Sequence, residues 1–184
     1  MKRTPILVVA AVLLAAMAGC TPDAQETPTP EPVVSTPTPT PTPQWTEEEQ
    51  AAIDAVQNYL AVWTDIGQNL ETADWNAIND VASDPALSNA VDQWIRWKDN
   101  DWHLVGTPAF ETDRVALGPT DGLGVRYYVH GCYIITDAYL ADSDGNPLAK
   151  QGADRTTANY VVLHQSNYQD AYYVLEDTTE GNPC

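Results

Sequence analysis

The stretch at residues 125–140, VRYYVHGCYIITDAYL, decides the fold. It is the longest run in the chain rich in β-branched and aromatic residues, the composition of a strand that is at least half buried. With Leu123 before it, its odd positions Val125, Tyr127, Val129, Tyr133 and Ile135 form one apolar face. The even positions Arg126, Tyr128, His130 and Cys132 form a mixed face, and Gly131 reads as a bulge or bend. Cys132 lies in this stretch, and Cys184 is the cysteine left to pair with it. We read the stretch as the central strand of a curved sheet, tied by a Cys132–Cys184 disulfide.

Working outward, 159–165 (NYVVLHQ) and 171–176 (AYYVLE) read as two further strands joined at Ser166-Asn167, a meander. Upstream, 103–117 reads as one or two strands broken near Pro108, followed by a turn at Pro119-Thr120-Asp121-Gly122. Asp142-Ser143-Asp144-Gly145-Asn146 has the acids of a calcium loop without its full spacing or late Glu, and an Asp-Gly hairpin turn explains it.

Before the strands come three helical patterns. Thr46-Glu47-Glu48-Glu49 is a capping box, and Ile53, Val56, Leu60, Trp63 and Ile66 follow at spacings of three and four. That predicts a helix over 46–67. Asp74 opens a short piece carrying Trp75, Ile78 and Val81. Asp84 as N-cap with Pro85 at the first helical position starts another, with Leu87, Val91, Trp94 and Ile95 as its stripe. Three helices followed by an antiparallel sheet is an α+β plan with the helices on one face. Trp63, Trp75 and Trp94 read as core, and Trp97 and Trp102 as the mouth of a pocket or a partner site.

Lys2 and Arg3 precede an apolar run at 6–18 (ILVVAAVLLAAMA), which is too short to cross about 30 Å of hydrocarbon. Residues 1–19 therefore read as an export signal. Met17-Ala18-Gly19-Cys20 resembles the lipobox of bacterial lipoproteins, with Met where Leu is usual. In that family the cysteine thiol carries a diacylglyceryl group and cleavage falls just before it. The alternative is cleavage after Ala16-Met17-Ala18, which would leave Cys20 a free thiol. Residues 21–44 are low in complexity, with prolines alternating mainly with threonines. They read as an extended spacer reaching roughly 75 Å at about 3.1 Å per residue. Residues 45–184 remain as one domain.

The whole chain carries a net charge of −18, with 8 basic and 26 acidic residues. Without Lys2 and Arg3 the exported part stands at −20. Such a surface repels phosphate backbones, so nucleic acid is excluded as a partner, and anionic lipid does not attract it.

The ordered set of features resembles the nuclear-transport-factor-2-like (cystatin-like cone) domain, as carried by small lipoproteins of high-GC Gram-positive bacteria. Its carriers are Cys20, the Thr/Pro spacer, AIDAVQNYLAVWTDIG at 52–67, Asp74-Trp75, Asp84-Pro85-Ala86-Leu87, Cys132 and Gly181-Asn182-Pro183-Cys184. The resemblance implies a curved sheet folded around three helices and enclosing a pocket. Some members are isomerases or dehydratases, and many only bind or assemble. Cone domains of this kind often pair through the sheet, which implies a homodimer.

An enzyme on this plan would use Asp137, Tyr127, Tyr133 or His130 as pocket acid, base or carbonyl-polarising group. With tyrosine so abundant, the odd-face tyrosines read first as core packing with a hydroxyl at the rim. His103, His130 and His164 are the only histidines, and they form no spaced zinc set, although His130 and His164 could meet across the sheet. No cofactor or metal pattern is present in the sequence. The reading is a non-enzymatic lipoprotein on the extracytoplasmic face of the cell membrane. It would bind a small apolar ligand or an envelope protein through the cone pocket or an aromatic patch. The alternatives are a cone-fold isomerase, dehydratase or hydrolase, and a structural envelope component.

Overall fold

The computed structural model of the chain describes residues 44–149, 152–166 and 170–184. The expected signal, Cys20, the spacer up to residue 43 and Asn167 of the expected last turn lie outside them.

Helix α1 spans Glu47–Gln68. The capping box forms: the Glu49 amide donates to the Thr46 hydroxyl at 3.2 Å, and the Thr46 amide donates to the Glu49 carboxylate at 2.9 Å. Three acids in the first turn suit the positive end of the helix dipole. The predicted stripe of Ile53, Val56, Leu60, Trp63 and Ile66 is buried, with Tyr59 beside it. The middle helix is a short 3₁₀ element, Trp75–Asp80, capped by the Asp74 carboxylate on the Asn76 amide. Helix α2 spans Ala86–Asp99. Its start differs from the expected one. Pro85 occupies the N-cap, the Asp84–Pro85 peptide is cis, and the Asp84 carboxylate accepts from the Ser88 hydroxyl at 2.5 Å.

Among the described residues six strands follow: β1 (His103–Val105), β2 (Ala109–Asp121), β3 (Gly124–Ile134), β4 (Tyr139–Ala141), β5 (Arg155–Gln165) and β6 (Ala171–Thr179). Four of them make an antiparallel sheet in the order β2-β3-β5-β6, and β1 pairs with β4 separately. The protein is thus α+β, with helices packed on an antiparallel sheet.

Three details depart from the sequence reading. The central stretch is not one strand to residue 140. It ends at Ile134, turns through exposed Thr136 and Asp137, and resumes as β4. The turn expected at 119–122 falls later, where the Asp121 carboxylate accepts from the Leu123 amide at 2.8 Å. Pro119 lies within β2 at a register irregularity between Leu117 and Thr120, a place where a missing N–H is tolerated. Gly131 is not the bulge. The shift lies on β2, between Thr112 and Arg114. Gly131 is instead a close approach, because a Cβ there would come 2.1 Å from the Glu111 carbonyl oxygen and 2.7 Å from the Phe110 ring.

The core lies between the helices and the sheet face that carries Tyr127, Val129, Tyr160, Val162 and Val174. Trp94 is fully buried, and Trp97 is in the core rather than at a pocket mouth, its ring set edge-on to Trp63 at 5.4 Å. Trp102 does line a small cavity of about 370 Å³, beside His103. Cys132 and Cys184 form a disulfide. The tail before Cys184 is held to β5, where Thr157 N donates to the Asn182 carbonyl at 2.8 Å.

Candidate functional site

A cleft of about 740 Å³ opens between α1, α2 and the end of β6. Backbone bonds fix that geometry. The segment before α2 is stitched to β6 by Val174 N to the Val81 carbonyl at 3.0 Å and by Ser83 N to the Val174 carbonyl at 2.9 Å. This places α2 beside the strand.

A bulge decides which side chain β6 sends into the cleft. Val162 pairs with Val174, and Val161 pairs with Glu176, so Leu175 is an extra residue. Strand side chains alternate faces, and one inserted residue reverses the sides of all that follow. Glu176 is therefore turned outward and is exposed, while Asp177 stands opposite Tyr160 on the helix-facing side.

Asp177 lies at the floor. It accepts a hydrogen bond from the Tyr59 hydroxyl at 2.6 Å, a contact that joins α1 to β6. Burial pushes the Asp177 carboxyl above its ordinary value, and the Tyr59 bond only partly opposes that. The same burial, with Asp177 beside it, raises the Tyr59 phenol far above its normal range. Tyr133 and Tyr160 are raised as well, burial first, then Asp177 for Tyr133, and Tyr133 followed by Asp177 for Tyr160. Tyr160 is wedged by its ring, 4.9 Å from Phe110 and 6.4 Å from Tyr59. Trp63 and Leu60 from α1 complete the apolar wall. The rim is polar: α2 contributes Asn89, Asp92, Gln93 and Arg96, and β6 contributes Thr178 and Thr179. Among the described residues no cation pairs with Asp177, and the Tyr133 and Tyr160 hydroxyls make no hydrogen bond.

Of the four residues named from the sequence as pocket acid or base, only Tyr133 lines this cleft. Tyr127 is buried in the core, its ring 6.2 Å from Tyr172. Asp137 is exposed in the turn after β3. His130 faces the other side of the sheet, where its Nδ1 is hydrogen-bonded to the Asn159 side chain. There it lines a shallow groove of about 610 Å³ that includes Cys132 and Cys184. His130 and His164 do not meet. His164 pairs with Val125 on the helix-facing side, stacks on Tyr172 at 4.2 Å and contacts Asp170 at 2.7 Å. In the 142–146 loop the Asp142 carboxylate accepts from the Asp144 and Asn146 amides at 3.0 and 2.8 Å, which builds a turn. Among the described residues, no group of three or more His, Cys, Asp or Glu is placed to hold a metal ion.

Asp177 itself was missed, because the last strand was read as ending at Glu176. The signal lay in Asp177-Thr178-Thr179, since paired threonines favour strands, but the bulge that turns Asp177 inward leaves no mark in composition.

No protein-family model and no curated protein matches the chain. Among solved structures, the intermembrane space region of the chloroplast protein ARC6 is similar at 12% identity, over 74% of this chain and 98% of that one, with a TM-score of 0.47. At that score the likeness carries no argument about function.

Proposed function

We propose that the protein is a membrane-anchored, extracytoplasmic binding module that takes a small organic ligand in the cleft between α1, α2 and β6. One observation carries this reading: a cleft of about 740 Å³ with a part-buried carboxylate and two unpaired phenols at its floor. Few convergent polar groups in an aromatic-walled cavity are the usual form of a small-molecule site. On the cone-domain resemblance, this cleft would be the cone pocket. The anchor rests on the lipobox-like run ending in Cys20. The polar rim calls for a ligand with polar groups of its own, rather than a wholly apolar one.

A second reading has one observation in its favour. Asp177, raised by burial beside Tyr59, is a group suited to proton transfer in a cone-fold isomerase or dehydratase. It ranks lower because the Tyr59 proton is committed to Asp177 rather than open to a substrate.

Fragment binding followed by amide NMR shifts tests the proposal. Small aromatic fragments should move the amides of Tyr59, Tyr133 and residues 177–179. A fragment set that leaves those amides still, or that gathers in the groove around His130, defeats it.

A further inference from the structure

The floor of the cleft has a sign. Asp177 is a part-buried carboxylate, its partners are the Tyr59 phenol and its own backbone amide, and no cation pairs with it among the described residues. A buried charge without a counter-charge is costly, and a ligand that supplies the counter-charge recovers that cost on binding. At the rim, Asp92 and Arg96 stand four residues apart on α2 and together contribute no formal net charge. The negative floor is therefore what a charged ligand meets. The walls add to it: the rings of Tyr59, Tyr133, Tyr160 and Trp63 border the same space, and aromatic faces attract cations.

An inorganic cation does not fit. Calcium needs six to eight oxygen ligands and zinc about four, whereas the floor offers a single carboxylate in a space far larger than an ion. The cleft volume suits a small molecule whose body lies on the aromatic wall and reaches the rim amides and hydroxyls.

We infer that the cleft selects organic ammonium ions, holding a protonated amine against Asp177 within the ring of Tyr59, Tyr133, Tyr160 and Trp63. This rests on the cleft being a ligand site, as proposed above, and it names the class of ligand. Groups facing Asp177 are Tyr59 on α1, Tyr133 on β3, Tyr160 on β5, and Asp92 with Arg96 across the cleft on α2. Asp92 and Asp177 are the carboxyl groups among these. Lowering the pH through the titration of Asp177 removes the floor charge and with it the preference for amines.

The test uses the full-length protein in phosphatidylcholine nanodiscs, with empty nanodiscs as the blank, and isothermal titration calorimetry. The probes are phenethylamine, its neutral counterpart 2-phenylethanol, and the anion phenylacetate. The amine should bind at least about tenfold tighter than the alcohol, a factor that corresponds to a modest charge contact. Phenylacetate should bind weakest. Asp177→Asn should bring amine and alcohol together while alcohol binding persists, which also shows that the variant is folded. Asp137→Asn, in the exposed turn after β3 and outside the cleft, should leave the preference in place. If Asp177→Asn does not fold, the wild-type preference measured at falling pH decides the question, and a preference unmoved by acid overturns the inference. Equal binding of amine and alcohol by the wild type overturns the ammonium assignment and leaves the cleft standing as a site. Failure of all three probes to bind overturns the assignment and the cleft reading together.

Discussion

Asp177 is a charge that folding places at a disadvantage. Its carboxyl titrates above 3.8 in the folded chain because burial disfavours the ionised form, and the Tyr59 hydrogen bond does not undo that. The folded state therefore holds this proton more tightly than the unfolded state does. The sign follows: with regard to this group, stability is fully present below the unfolded value and declines as pH rises through the folded one. Asp177→Asn removes the charge and keeps an oxygen to accept the Tyr59 proton. It should raise the melting temperature at pH 7, with the gain shrinking as pH falls through the raised titration of Asp177 and gone by about 4, the range of an unperturbed carboxyl. Thermal melts at both pH values measure this; a variant less stable than wild type at pH 7 would show that the carboxylate is better compensated than the geometry indicates. Tyr127 and Tyr133 make a related point at the same scale. Both were legible as odd-face residues of β3, and both are on the helix-facing side. Which one is walled into the core and which opens on the cleft depends on where α1 and α2 cross the sheet, and no local pattern encodes that.

Elements with a strong period were legible. The capping box and the stripe of α1, the alternation along β3 and the strand identity of β5 all follow from residue spacing, and each is where the pattern puts it. Interruptions were not legible. The break after Ile134, the passage of β2 through Pro119 and the extra Leu175 in β6 are settled by pairing with strands distant in sequence. The disulfide is the long-range contact that could be read, because residues 45–184 hold two cysteines and allow one pairing. It anchors the chain just after the end of β6 that borders the cleft: Glu180 N donates to the Thr157 carbonyl at 2.9 Å, and Cys184 is bonded to Cys132. The bridge spans 52 positions. In the loop-entropy description a closure of that length contributes about 4 kcal/mol. Cys184→Ser should therefore lower the unfolding free energy by roughly 3–4 kcal/mol in denaturant titrations. Amide exchange at 177–179 should rise with it, since the tail loses its covalent tie. A loss below about 1 kcal/mol, no more than a typical hydrogen bond, would mean that backbone pairing alone holds the tail.

At the scale of the molecule, two features act together. Residues 20–184 carry a net charge of −20, and the proposed arrangement puts a spacer of roughly 75 Å between the domain and an anchor at Cys20. The field of such a domain is screened within about 8–10 Å at ordinary ionic strength, so a spacer of that reach removes its repulsion from an anionic membrane. An acidic domain also has no electrostatic means of staying at that surface, so the proposed attachment would have to be covalent. One acyl chain binds reversibly, and two hold. Cys20 at the end of the lipobox-like run is the residue placed to carry two. In cells producing the full chain, globomycin, which blocks the lipoprotein signal peptidase, should cause the unprocessed precursor to accumulate in the membrane fraction. Mass spectrometry of the untreated protein should find the mature chain starting at Cys20 with a diacylglyceryl adduct. Normal processing in the presence of globomycin, or a mature chain starting at Gly19 without lipid, would place cleavage at Ala16-Met17-Ala18 and remove the anchor from the proposal while leaving the cleft untouched.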